Sequence, residues 1–359
     1  MGPLEALGWD GFFQAAWSHW EDPKLKPGRV ATQVRSHFWV ALGGGDTRKA
    51  RTTGRMRYHA TNRSDMPVVG DWVAVEDPPG GGELVIHGVL PRKSRFSRKV
   101  VGEKSEEQVL VANIDQAFLI MGLDGDYNTR RLERYLATAY DSGAKPVVVL
   151  NKADVSSNLR KDLKECRASA PGTDVVAISA TTGKGVKELT KRLTAGTTIV
   201  LLGSSGAGKS TLANRLLGEE VQAVQEVKGT FDRGRHTTTG RMMFRLPGGA
   251  LLIDTPGLRE VQLWSADGGV EDAFSDIVEL AYKCKYGNCR HGAEPGCAVK
   301  AAVEAGKLPE ERWESYGKLK KELRFQESRM DKKALREHHK AKKAIHEGVK
   351  KMPKRGLLG

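Results

Sequence analysis

The sequence predicts a multi-domain chain in which a small β-barrel, a central α/β domain and a mainly helical C-terminal domain follow one another. Three observations predict it. Short alternating apolar and polar runs, separated by Gly/Pro turns, fill residues 28–100. Continuous apolar runs that each end in a polar or glycine-rich loop then recur as far as Asp254. Finally, three of the chain's four cysteines cluster with a histidine in residues 284–297. A 359-residue chain with 39% hydrophobic content fits two or three globular units better than one. The expected divisions are an N-terminal extension at 1–27, a barrel at 28–103, an α/β domain at 104–268 and a C-terminal domain at 269–359.

Residues 30–42, 52–59, 68–76 and 84–89 alternate as half-buried strands do, with turns at 43–45 and 78–82. Several short strands of this kind predict a small barrel. Arg92, Lys93, Arg95, Arg98 and Lys99 follow the last strand and suit a phosphate backbone. The first 25 residues, with Trp9, Trp17 and Trp20, carry no pattern that points to a role.

In the central domain the run 146–150 (PVVVL) reads as a buried parallel strand ending in Asn151-Lys152-Ala153-Asp154. The carboxyl end of such a strand is where α/β sheets bind ligands. An aspartate there can accept from N1–H and the 2-amino group of guanine, a donor pair that adenine lacks, so Asp154 points to guanine. Ser179-Ala180-Thr181, after the strand 175–178, matches the backbone loop that lies against guanine in GTPases.

Gly203, Ser204, Ser205, Gly206, Ala207, Gly208, Lys209 and Ser210 fit the phosphate-loop pattern between the apolar run 198–202 and a helical stretch at 211–217 that begins with Thr211. Glycines let backbone N–H groups surround phosphate oxygens, and the helix N-terminus adds a favourable dipole. Lys209 is expected to neutralise β- and γ-phosphate oxygens while the Ser210 hydroxyl holds Mg²⁺.

Asp254 closes the run 250–253 as a Walker-B aspartate does, with the Gly257 N–H meeting the γ-phosphate. Between these motifs, 233–240 (RGRHTTTG) stands at the position of switch I; Thr238, in preference to Thr237, is the expected Mg²⁺ ligand. Leu258 replaces the water-positioning Gln of Ras-like GTPases, and a leucine forms no hydrogen bond. His236 is the nearest candidate for that task, with an ordinary pKa suited to polarising water near neutrality.

The order of these motifs is itself informative. In an ordinary GTPase the phosphate loop precedes NKxD, whereas here NKxD comes first, so this region looks like a circularly permuted P-loop GTPase domain. The order NKAD, SAT, GSSGAGKS, RHTTT, DTPG resembles the ribosome small-subunit-dependent, circularly permuted GTPase family (small ribosomal subunit biogenesis GTPase A), from about Gly28 to the basic tail. The resemblance implies an N-terminal OB-fold, a permuted GTPase domain and a C-terminal zinc domain, with GTP hydrolysis stimulated by the small subunit late in its assembly. It also places the family's switch-I histidine on His236 and the hydrophobic residue after DTPG on Leu258.

Cys284-x4-Cys289-x-His291-x5-Cys297 has the composition of a tetrahedral Cys₃His site. Four protein ligands leave no open position, so one structural Zn²⁺ is expected. A disulfide scheme would leave one of the clustered thiols odd, and the chain begins with no secretory pattern. Cys166 stands apart as a packing or surface cysteine.

The net charge of +14 is unevenly placed. Residues 28–100 hold 13 Lys/Arg against 6 Asp/Glu, residues 316–355 hold 15 against 5, and residues 101–315 are near neutral with 28 against 29. Both basic ends suit a polyanion, and the helical reading of 309–348 offers its lysines to rRNA. No apolar run approaches the ~20 residues needed to span a bilayer. Composition and motifs lead to the expectation of a soluble, cytoplasmic monomer that binds GTP/GDP, Mg²⁺ and Zn²⁺, and the resemblance adds the small ribosomal subunit as partner, with an RNA-binding module carrying a slow guanine-nucleotide switch as the alternative.

Overall fold

The structure, a computed structural model, describes residues 2–60, 62–100, 106–227, 241–254, 268–292 and 294–325. Strands β1 (Leu25–Val34), β2 (His37–Gly43), β3 (Asp46–Thr52), β4 (Trp72–Glu76) and β5 (Leu84–Val89) pair in the order β1-β2-β3-β5-β4 and close through β1–β4. All pairs are antiparallel except β3–β5. This five-stranded closed arrangement fits the OB-fold type of barrel. Val30, Val40, Val73, Val75, Leu84 and Ile86 fill its interior.

Two sequence expectations change here. The single run at 30–42 is a hairpin, reversed at Arg35 with φ of 54°, a turn without the Gly or Pro that would have marked it. The expected strand at 52–59 instead ends at Thr52 and becomes helix α2 (Gly54–His59). The cause is local: the Thr53 hydroxyl accepts from Met56 N–H at 3.1 Å, an N-cap inside a β-branched pair.

The N-terminal extension is not idle. Helix α1 (Gly11–Trp17), capped by Asp10, lays Phe13 against Trp72, with Trp9 edge-on to Trp72 at 4.7 Å between centroids. The buried Arg29 guanidinium joins this cap to the barrel, donating to the carbonyls of Leu7, Gly70 and Asn113.

A two-stranded ribbon, β6 (Arg95–Val100) and β7 (Glu106–Ala112), leads into the central domain. There the strands are β8 (Gln116–Gly122), β9 (Lys145–Asn151), β10 (Asp174–Ala177), β11 (Thr198–Gly203), β12 (Arg241–Arg245) and β13 (Leu251–Asp254), in the order β10-β9-β8-β11-β13-β12. All but β12 run parallel. Helices α3 (Thr129–Asp141), α4 (Leu159–Ser169), α5 (Val186–Thr190) and α6 (Lys209–Val227) accompany them. Because helices cover a parallel sheet, β8 and β9 are buried almost end to end, which explains their unbroken apolar runs. In α6 the backbone leaves helical geometry at Gly218 (φ 71°), just past the expected end of the helical stretch.

The barrel and this sheet are one hydrogen-bonded surface. β1 pairs antiparallel with β12 in the register Thr32↔Met242 and Gln33↔Arg241, and β12 continues to β13 with Met242↔Asp254.

The C-terminal part is helical in its described residues: α7 (Gly269–Ala273), α8 (Ser275–Ala281), α9 (Ala298–Glu304) and α10 (310–325). It docks on α3. Gly269 lies so close that a Cβ there would meet the Ala137 carbonyl at 2.4 Å. Arg312, 4% exposed, ion-pairs with buried Glu133 of α3 at 2.9 Å and with Asp276, and covers the Phe274 ring at 4.6 Å. No helix among the described residues is long and apolar enough to cross a membrane.

Candidate nucleotide site and metal cluster

The carboxyl ends of β8, β9, β11 and β13 form one edge of the sheet, and the loops that leave them meet there. Asn151, last residue of β9 and 2% exposed, ties the loop after β11 and the 179–181 loop after β10 to its own. Its Nδ2 donates to the Ala207 carbonyl of the 203–210 loop at 2.9 Å, and its Oδ1 accepts from Ala180 N–H at 2.9 Å. The chain then turns through Lys152 at a φ of 61°, and Ala153 N–H donates to Ile178 O at 3.0 Å. Asp154 consequently stands beside Ser179, whose hydroxyl holds its carboxyl below the usual carboxylate range. An ionised acceptor at this edge of the sheet is what a guanine edge requires.

The phosphate-type loop has the expected strand–loop–helix context between β11 and α6. Gly206 and Gly208 adopt φ values of 82° and 90°, a region that glycine enters without strain. Gly208 has a second constraint: a Cβ would lie 2.2 Å from Asn151 Nδ2. Lys209 Nζ folds back over the loop onto the carbonyls of Gly203, at 2.8 Å, and Ser204. Ser205, Ser210 and Thr211 are exposed at the mouth, and Ala207 is buried beneath it. Asp254 ends β13 on the same edge, exposed, one strand away from this loop.

Sequence reasoning missed four residues. Asp124 and Asp126 follow β8 at the same edge; Asp124 pairs with Lys152, and Asp126 accepts from the Ser204 hydroxyl while pairing with Arg131 at 2.7 Å. Arg215 of α6 donates to the carbonyls of Ala180 and Thr181. Acidic residues just past a buried parallel strand were a readable signal; nothing marked Arg215 or Arg131. His236, Thr238, Gly257 and Leu258 lie outside the described residues, as does the basic tail beyond residue 325.

Cys284, Cys289, His291 and Cys297 come together with their ligand atoms within 4.8 Å of one another. Sγ of Cys284 and of Cys297 each lie 3.5 Å from His291 Nδ1 and 3.9 Å from one another. A tetrahedral ion with metal–sulfur bonds of ~2.3 Å needs sulfur–sulfur edges of about 3.8 Å, so the donor set fits Zn²⁺. His291 is held at a φ of 59° in the turn, and its ring meets Trp313 edge-on at 5.6 Å. Cys166 lies apart, buried in α4, its thiol pushed up to about 12 by desolvation.

Of the basic stretch expected to contact phosphate, Arg92 is committed elsewhere. Its guanidinium holds the fully buried Asp71 through two bonds of 2.7 Å and the carbonyls of Ser64 and Met66. Arg95 pairs with Glu107 but keeps a half-exposed side chain, and Lys93 pairs with Asp10.

Comparison with known proteins agrees with this geometry. The chain is 45% identical over 354 residues to the small ribosomal subunit biogenesis GTPase RsgA of Opitutus terrae, covering 96% of each chain. It is 41% identical over 360 residues to the RsgA of Streptomyces coelicolor, covering 99% of this chain and 96% of that one. The crystal structure of YjeQ from Thermotoga maritima is similar with a TM-score of 0.63 at 27% identity, over 83% of this chain and 98% of that chain. YloQ, described as a circularly permuted GTPase, shares the fold with a TM-score of 0.62 at 23% identity, over 85% and 97%. Residues 89–264 match the RsgA GTPase family description, and with relatives this similar over nearly its whole length the chain belongs to the RsgA family of circularly permuted GTPases.

Proposed function

We propose that this chain binds GTP at the edge of β8, β9, β11 and β13 and hydrolyses it to GDP and phosphate on the small ribosomal subunit during late assembly. The observation that carries the reading is the Asn151 fastening of the NKAD, SAT and phosphate loops, joined by the names of its relatives. In this reading Asp154 reads guanine, Lys209 and the 203–208 backbone hold the phosphates, and Ser210 with Thr238 ligates Mg²⁺ while Asp254 contacts it through water. Gly257 N–H meets the γ-phosphate, and His236 orients the attacking water in place of Leu258. The Cys₃His cluster carries one structural Zn²⁺.

Subunit rRNA is taken at both basic ends. At the C-terminal end, a groove of about 810 Å³ beside the metal cluster is lined by Arg290, Lys318, Lys321 and Arg324 together with Trp313 and Tyr316, a mixture of cations and rings suited to RNA. Cosedimentation with separated ribosomal subunits tests the reading. Binding to the small subunit should be stronger with a non-hydrolysable GTP analogue than with GDP and should weaken steeply with salt. Equal binding to both subunits in every nucleotide state would leave only polyanion attraction and refute it.

A further inference from the structure

We infer that Arg215 is a positioning residue that sets guanine specificity by clamping the base-side loop to the phosphate-side helix. The inference deepens the nucleotide-site reading above and rests on it. Arg215 is six residues after Lys209 on α6, about 9 Å along the helix axis at 1.5 Å per residue. Its Nε donates to the Ala180 carbonyl and its Nη2 to the Thr181 carbonyl, each at 2.5 Å. One rigid helix therefore carries the phosphate-side lysine at its first turn and grips the SAT loop two turns later.

A planar guanidinium suits this task because two donors in a fixed fork define the orientation of the loop as well as its distance. Gly183 makes room for it: a Cβ there would lie 2.8 Å from the Arg215 guanidinium, and its φ of 86° is itself left-handed. The loop's other anchors, Ala180 N–H to Asn151 and Ser179 N–H to Lys184 O, tie it to β9 and to itself, but not to α6. Arg215 links it to the helix that bears Lys209. The side chain is exposed at its helix, so truncation removes the clamp without opening the core.

The separation of the two halves of the site is then fixed for the guanine that would lie between them. A loosened loop accepts a 6-amino purine with less penalty, because specificity is a difference between two affinities. The loop it holds would meet the base in ground and transition states alike, so loosening the loop raises KM and leaves kcat in place.

The test is steady-state hydrolysis and nucleotide competition with the full chain, comparing wild type, Arg215→Ala, Arg215→Lys and Gly183→Ala. Arg215→Ala should raise KM for GTP about three- to thirtyfold, the range for one charge-assisted contact pair near solvent, with kcat within about twofold. Its preference for GTP over ATP should fall by a similar factor, Arg215→Lys should restore part of it, and Gly183→Ala should reproduce the defect. A merely structural role would lower the melting temperature without moving the base preference. Wild type that discriminates guanine while Arg215→Ala discriminates equally well overturns the clamp alone. Wild type that does not prefer guanine removes the nucleotide-site reading and the clamp with it.

Discussion

The side-chain amide of Asn151 donates to the carbonyl of Ala207 at 2.9 Å, so the last residue of β9 holds the phosphate-type loop through a buried bond. Its other end holds Ala180 N–H, and Gly208 packs where only a hydrogen leaves it room. Asn151→Ala would orphan one buried donor and one buried acceptor, at a cost of about 1–3 kcal/mol each. Guanine-nucleotide affinity should fall at least about tenfold, and Gly208→Ala should do the same by displacing the amide. Asp154→Asn should instead keep the site intact and shift its preference toward xanthine nucleotides, since a donor then replaces the ionised acceptor. Isothermal titration with GDP, XDP and ADP checks all three, and tight ADP binding by the wild type would contradict the assignment of 151–154.

Thr32 of the barrel, Met242 and Asp254 occupy one register row across β1, β12 and β13. A displacement of β1, as by RNA if the barrel binds it as proposed, would reach the strand that ends in Asp254 through two ladders of hydrogen bonds. In the adjacent register pair, Arg241 donates to the Gln33 side chain at 3.3 Å. Arg241→Ala should lower subunit-stimulated GTP turnover several-fold while basal turnover stays within about twofold. Unchanged stimulation would show that the barrel's signal travels by another route.

The metal cluster gives a third expectation. The protein as purified should contain one zinc per chain, and Cys289→Ser should lose it and loosen the C-terminal helices while leaving GTP binding largely intact. Elemental analysis of reduced, folded protein that finds no zinc would contradict this.

Arg312 is the hinge pin of C-terminal docking. Removing it by Arg312→Ala would leave Glu133 buried and charged without its partner, which costs about 3–5 kcal/mol. The accompanying substitution Glu133→Gln should recover part of that loss. Urea unfolding of the single and double variants measures it, and a single variant within about 1 kcal/mol of wild type would mean that the docking is held by the remaining contacts, the Arg134–Glu322 pair at 2.8 Å and apolar packing among them.

Much of the site was legible because its residues act through local pattern. Gly203–Ser210 and Asn151–Asp154 each follow a strand buried on both faces, and the apolar runs of β9 and β11 announce such strands. The Cys₃His spacing likewise predicts a closed ligand set without any tertiary information. What escaped was decided by distant partners. Arg92 reads as a surface cation until Asp71, 21 residues away, is seen to claim it. Residues 52–59 read as strand because apolar and polar residues alternate there, yet Thr53 uses its hydroxyl to start a helix. The β1–β12 pairing joins segments separated by more than 200 residues, and no local alternation encodes it. For the same reason the N-terminal tryptophans carried no meaning until Trp72 appeared beneath them.

GTP turnover with and without purified small ribosomal subunits, in wild type and His236→Ala, tests the central claim most directly. Small subunits should stimulate the wild type and large subunits should not, and His236→Ala should cut the stimulated rate by about ten- to a thousandfold while GTP affinity stays nearly unchanged. Wild-type turnover that is the same with small subunits, with large subunits and with neither would contradict the account.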